Sequence, residues 1–301
     1  MPPASTAELD LQTCIDGEIM TSQLRTLLLL GLLSSLIIML GGALGGRAGI
    51  VIALGLALFM NLGSYWYSDK IVLGMYRARE LAREEAPYIH QIVGELANKA
   101  GIPMPRICVI PEEAPNAFAT GRDPEHGVVA VTEGIVRLLS PEELRGVLAH
   151  EIGHIANRDI LIQTVAGVLG SAIVAIANMM QFAALFGGRG NGGRGNPLAM
   201  IAMAMLAPIA AALIQMAISR SREYLADETS ARLSNQPLAL ADALGKLAAM
   251  NERVPMQRGK PSTEQMFIVS PLFGGGMTKL FSTHPDIRER IARLRAMAGE
   301  R

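Results

Sequence analysis

His150-Glu151-Ile152-Gly153-His154 decides how this 301-residue chain is read. Two imidazoles four residues apart on a helix point the same way, so both can bind one Zn²⁺ while the glutamate between them reaches the metal's water. The residues ahead of the motif predict that helix. Ser140-Pro141-Glu142-Glu143 supplies a serine cap, a proline at the first helical position and a glutamate three residues after the cap. Leu144, Val147, Leu148, Ile152 and Ile155 then keep helical spacing. No Gly or Pro interrupts residues 155–164, so the helix is expected to run straight into the apolar run that follows. Gly153, which costs roughly 1 kcal/mol relative to Ala inside a helix, hints at close backbone packing. The plain alternative is an ordinary helix with two satisfied histidines, and the surroundings decide between the two.

Composition directs attention to a membrane. Half of the residues (50%) are hydrophobic and only 18% are charged, a balance unusual for a soluble enzyme. The formal net charge is zero and aromatics make up 4%, which argues against nucleic acid as a partner. Cys14 and Cys108 have neither metal-ligand spacing nor a disulfide-rich pattern.

Four uncharged runs stand out, at residues 26–46, 48–68, 160–188 and 195–219. The first two are each about 21 residues, enough to cross about 30 Å of hydrocarbon as a helix. A cleaved signal peptide is disfavoured by Glu8, Asp10, Asp16 and Glu18 ahead of the first run, where a basic segment belongs. Length and lack of charge weigh against core helices of a soluble protein for the last two. Four spans leave Arg25, Lys70, Arg77, Arg79, Arg83, Arg158, Arg220 and Arg222 on one side, and Arg47, Arg189 and Arg194 on the other. The richer side is expected to be cytoplasmic. The expected fold is thus an integral membrane α+β protein with four transmembrane helices and a catalytic unit containing a small β-sheet. Its parts are a polar tail (1–25), a first transmembrane hairpin (26–68), the first catalytic part (69–159), a second hairpin (160–219) and the second catalytic part (220–301).

Between the spans, residues 70–100 predict a helix broken near Pro87. Residues 106–110, 116–120 and 127–131 read as short strands separated by turn clusters. Residues 286–298 close the chain as an amphipathic helix. His90 and His126 have no partner at ligand spacing and are expected to be exposed or locally bonded.

A catalytic zinc needs a third protein ligand. Ser221-Arg222-Glu223-Tyr224-Leu225-Ala226-Asp227 follows the fourth run, and its two carboxylates, four residues apart, share a helix face. Glu223 would ligate the zinc, and Asp227 would hold a ligating histidine in the correct tautomer. Taken alone, the same residues could form a solvated acidic face paired with Arg220 and Arg222.

Residues 149–159 (AHEIGHIANRD), 221–231 (SREYLADETSA), 115–121 (PNAFATG) and 281–291 (FSTHPDIRERI) together resemble the HtpX branch of the M48 membrane metallopeptidases, more closely than the related CAAX prenyl endopeptidases. The resemblance covers about residue 70 to the C-terminus. It implies a gluzincin, with His150, His154 and Glu223 on one zinc and Glu151 as general base. It also implies an edge strand at Asn116 on which substrate can lie, and a role for His284 and Arg288 beside the transition state. Asn116 can equally belong to a plain structural strand, and His284 to the cap of the last helix; the chain has Pro285-Asp286 where the family often has two prolines. Expected partners are membrane lipid and misfolded membrane proteins, and the expected location is the cytoplasmic (inner) membrane. A non-catalytic membrane scaffold or transporter is the alternative of a different class, and Glu151 discriminates against it, since a structural metal site needs no base.

Overall fold

The structure, a computed structural model, describes residues 6–171, 220–270 and 285–299. The first helix, α1 (Thr6–Met75), is two helices joined at Gly46, where φ is 56° and ψ −138°, a conformation that glycine adopts without a steric penalty. Its limbs return on one another: a Cβ on Gly49 would lie 1.9 Å from the Gly41 carbonyl oxygen, and Asn61 Nδ2 donates to Ser34 Oγ at 2.7 Å.

Among the described residues, one helix, Gly46–Met75, is long and apolar enough to cross a membrane. The run before it contributes only the shorter apolar stretch Leu30–Met39, so four spans are not what the described residues contain. The run at 160–188 begins as α5 (Ile160–Ser171), and its remainder, with all of 195–219, lies outside the described residues.

Beyond the membrane, the expected helix over 70–100 is interrupted earlier and for longer than a proline kink. The chain turns at Arg77 (φ 52°), lays down β1 (Arg79–Glu80) and only then enters α2 (Pro87–Ala100). Pro87 opens that helix instead of breaking one, because the first helical position needs no N–H. Then follow β2 (Arg106–Ile110), β3 (Ala117–Thr120), β4 (Val128–Thr132), α3 (Glu133–Leu138) and α4 (Pro141–Ala156). After the second apolar region come α6 (Arg220–Ser234), α7 (Pro237–Asn251) and α8 (Ile287–Gly299).

The sheet has the order β1-β2-β4-β3, with β2 and β4 parallel and β3 antiparallel to β4 at the edge. Both of its faces are covered, which explains why Val128–Thr132 is buried throughout and why Val128 to Val131 are apolar and not alternating. Ile107, Val109, Ala117, Val129 and Val131 face the helical core with α2, α4, α7 and α8. Cys108, Ile110, Phe118, Val128 and Ala130 face the end of α1 through Val72, Leu73 and Tyr76. The membrane helix thereby packs directly on the sheet that borders the site.

Candidate metal centre

The cap expected at the start of α4 is formed. Ser140 Oγ accepts from the Glu143 N–H at 3.2 Å, and Glu143 Oε2 accepts from the Ser140 N–H at 2.9 Å. From Gly146 to Ile155 every residue of α4 is buried, and two glycines allow neighbouring helices to approach. A Cβ at Gly146 would stand 2.9 Å from the Leu240 nitrogen of α7, and one at Gly153 would stand 3.3 Å from the Thr229 side chain of α6. The close packing suggested by Gly153 is therefore present.

The helix does not continue into α5. It stops at Ala156, Arg158 adopts a left-handed φ of 57°, and the bend returns Asp159 to the motif. His154 Nδ1 donates to Asp159 Oδ2 at 3.0 Å, and the Asp159 N–H donates to the His154 carbonyl at 3.2 Å. In a continuous helix, Asp159 would point about 140° away from His154. The other imidazole is held from α6, with His150 Nδ1 at 2.9 Å from Asp227 Oδ1.

Because each Nδ1–H is given to a carboxylate, each Nε2 is the atom left to ligate a metal in the neutral imidazole. The two Nε2 atoms face each other at 3.1 Å, the distance of a shared proton that an ion in the site would replace. Glu223 closes the triangle, with Oε1 at 3.6 Å from His154 Nε2 and Oε2 at 3.8 Å from His150 Nε2. These three buried residues can hold a metal ion, their ligand atoms all lying within 4.8 Å of one another. Ligands at the usual 2.0–2.1 Å from a tetrahedral zinc are about 3.3 Å apart, so the donor set fits such an ion with small adjustment.

Electrostatics agree. Burial keeps His150 below the usual histidine range, in its neutral ligand form. Burial also favours neutral His154, but Asp159, Glu223 and Glu151 outweigh it and push His154 up to about 10, the signature of a site rich in negative charge. Glu151 lies beside the pair, its two oxygens buried and without a hydrogen bond of ordinary geometry. Burial, reinforced by Glu223 and opposed by His154, pushes it up to about 8, with weak support for its charge from the Ala119 backbone on β3. A cation at the three ligands would favour its ionised form.

Arg290, fully buried on α8, binds this cluster from the far side. Its Nε and Nη2 donate to the two oxygens of Asp227 at 2.8 and 2.7 Å, and Nη1 lies 3.5 Å from Glu223 Oε2. Burial opposes the ionisation of Asp227, but the Arg290 charge overcomes it and holds the carboxyl below its usual range. The same guanidinium donates to the Ile268 carbonyl at 3.0 Å. Asp159 and Arg290 were not among the residues expected from sequence. Arg290 had a signal, since it falls on the inward stripe of Ile287, Ile291 and Leu294, which Arg288 does not.

The remaining expected residues lie as follows. Asn116 is fully buried just before β3, its Nδ2 donating to the Val269 carbonyl at 2.8 Å; the adjoining Ala117 carbonyl accepts from the Ile268 N–H at 3.1 Å. Arg288 is exposed, and its backbone N–H donates to Asp286 Oδ1 at 2.8 Å. His284 lies outside the described residues. His90 Nε2 donates to the Leu81 carbonyl at 2.9 Å, and His126 pairs with Asp123.

Known proteins share this arrangement at the level of sequence. The profile of peptidase family M48 matches residues 83–298. A protease HtpX homolog of Syntrophobacter fumaroxidans is 56% identical over 282 residues, covering 92% of this chain and 100% of its own. A protease HtpX homolog of Pyrococcus furiosus is 53% identical over 277 residues, covering 92% and 96%. Among solved structures, Ste24p of S. mikatae aligns with a TM-score of 0.50 at 20% identity, over 92% of this chain and 66% of that one, a likeness of fold alone. A buried His-His-Glu constellation and relatives that match almost end to end lead to one assignment: the chain belongs to peptidase family M48, in its HtpX branch.

Proposed function

We propose that this M48 membrane metalloprotease is a zinc endopeptidase in which His150, His154 and Glu223 hold one ion and Glu151 is the general base. The observation that carries the reading is Glu151 itself. Its carboxylate is buried without a conventional hydrogen bond next to three convergent ligands. A structural metal site gains nothing from such a costly group, whereas hydrolysis needs one.

Zinc in that site supplies Lewis acidity, polarising a peptide carbonyl and making water easier to deprotonate. Glu151 receives the proton of the attacking water and delivers it to the leaving amine. Asp159 and Asp227 keep the imidazoles in the Nδ1–H tautomer, with their Nε2 atoms aimed inward. Arg290 neutralises Asp227 and sets its orientation with two hydrogen bonds. On the substrate side we assign Asn116, beside edge strand β3, where an extended peptide can add to a sheet. His284 is assigned to the developing oxyanion. Of Arg288 and Arg290 on α8, Arg290 is the one that reaches the ligand cluster, with Nη1 at 3.5 Å from Glu223 Oε2, whereas Arg288 is exposed.

The four apolar runs support a multi-pass protein of the inner membrane with both catalytic parts (69–159 and 220–301) on the cytoplasmic side, where the basic residues concentrate. In this arrangement the membrane segment 160–219 separates the HExxH helix from Glu223 and helps bring them together. Relatives named protease HtpX homolog support proteolysis, and we take misfolded membrane proteins as its substrates. The test is purified protein with and without Glu151→Gln, assayed for bound zinc and for cleavage of casein. The reading requires zinc retained and cleavage lost. Cleavage that survives the substitution contradicts it.

A further inference from the structure

Helix Gly46–Met75 changes surroundings abruptly along its length. Phe59 and Leu62 are 74% and 53% exposed, whereas Ser68, Val72, Leu73 and Tyr76 are buried in the catalytic unit. The hydrocarbon-facing part must end between them, and there stand Tyr65, Trp66 and Tyr67, three successive exposed aromatics. Such rings favour the boundary between hydrocarbon and headgroups. From Arg47 to Trp66 the helix rises about 28 Å, close to the thickness of a hydrocarbon core.

Two cations stand over these rings. The Lys70 ammonium is 5.2 Å from the Tyr67 centroid, and the Arg122 guanidinium is 4.6 Å from that of Trp66. Lys70 is on the helix, but Arg122 belongs to the connection between β3 and β4, residues 121–127. That connection has a defined shape. Asp123 caps the short turn Pro124–His126 by accepting from the His126 N–H at 2.8 Å, and it also accepts from Arg122 Nε at 3.2 Å.

We infer that the connection at residues 121–127 rests in the phospholipid headgroup layer, with Arg122 and Lys70 facing the phosphates, as a second membrane contact of the catalytic unit beside the span. The height fixed by Trp66, with Arg122 and Lys70 seated over the aromatic rings, favours this occupant. Since Thr120 ends β3 immediately before the connection, one end of the edge strand bordering the metal centre would lie at the bilayer surface. The inference rests on the reading of Gly46–Met75 as a membrane span.

The chain's single tryptophan, Trp66, makes the test direct. Full-length protein carrying Cys14→Ser and either Glu125→Cys or Glu142→Cys is labelled with a small fluorophore and reconstituted into phosphatidylcholine–phosphatidylglycerol vesicles; Cys108 is buried, and both glutamates are exposed. Quenching is read with lipids bearing a nitroxide at the headgroup or at mid-chain. Trp66 should be quenched more by the headgroup nitroxide than by the mid-chain one, and the label at 125 should be quenched severalfold more by the headgroup nitroxide than the label at 142. Equal quenching at 125 and 142, with Trp66 still quenched, overturns the headgroup contact and leaves the span intact. A Trp66 that no lipid nitroxide quenches overturns the span reading, and this inference with it.

Discussion

The two halves of the metal centre hold their histidines by different means. His154 is oriented by Asp159, five residues further along the same chain segment, through a bend that any local fluctuation can re-form. His150 is oriented by Asp227 on α6, which is itself clamped by Arg290 on α8, so three distant elements must be in place together. Local contacts close with little loss of chain entropy, and distant ones close only when the fold is complete. The His150 half thus reports the integrity of the whole catalytic unit, and the His154 half reports the metal alone.

The largest effect is expected from Glu223→Ala. It removes a ligand shared by both halves, so bound metal and cleavage should fall together, by about a thousandfold or more in rate if base and ion act as a unit; metal analysis beside a peptide assay checks this. Next is Arg290→Met. It leaves Asp227 charged and buried, which should cost about 3–5 kcal/mol of stability, read from chemical denaturation. The pair Arg290→Met with Asp227→Asn should recover part of that loss, the non-additivity expected of contacting residues. Asp159→Asn should behave differently, weakening metal affinity by about 10- to 100-fold while the stability of the zinc-loaded protein, in which His154 is neutral, changes little. Comparable destabilisation by Asp159→Asn and Arg290→Met would erase the distinction between the halves.

The metal-free protein should also respond to pH. Folding raises His154 from 6.5 to about 10 and Glu151 from 4.5 to about 8. Groups with raised folded values stabilise the fold below their ordinary values and lose that contribution as pH rises through the folded ones. Melting temperature of the metal-free protein should therefore fall from neutral pH towards about pH 10, and bound metal should flatten the slope, because it replaces protons at the same atoms. The smallest effect is expected for Arg288→Ala, an exposed position, within about 0.5 kcal/mol in stability; a large loss of cleavage there would move it into the site.

Much of this centre was legible in the residues themselves. The capping signals and the apolar spacing located α4, and the spacing of His150 and His154 placed both imidazoles on one face. Three strands were found within a residue or two of their ends, because turn clusters bounded them. What escaped depended on tertiary contact. Asn157 is a weak helix-stop signal beside the lack of any Gly or Pro, and Arg158 takes up the left-handed conformation from which Asp159 reaches His154. Residues 76–86 leave the helix to add β1 to a sheet edge, a pairing with Val109 and Cys108 that no local pattern shows. Arg290 hides because a charged residue on an inward stripe is uncommon unless a buried partner awaits it, and that partner, Asp227, is 63 residues away.

The central claim is a split site in which Glu223 joins His150 and His154 on one ion. X-ray absorption at the zinc edge, on purified protein and on Glu223→Ala loaded under the same conditions, tests it most directly. One zinc per chain with two imidazoles and an oxygen ligand, lost or reduced to weak binding in the variant, is the predicted result. A zinc with unchanged occupancy and coordination in Glu223→Ala would contradict the account.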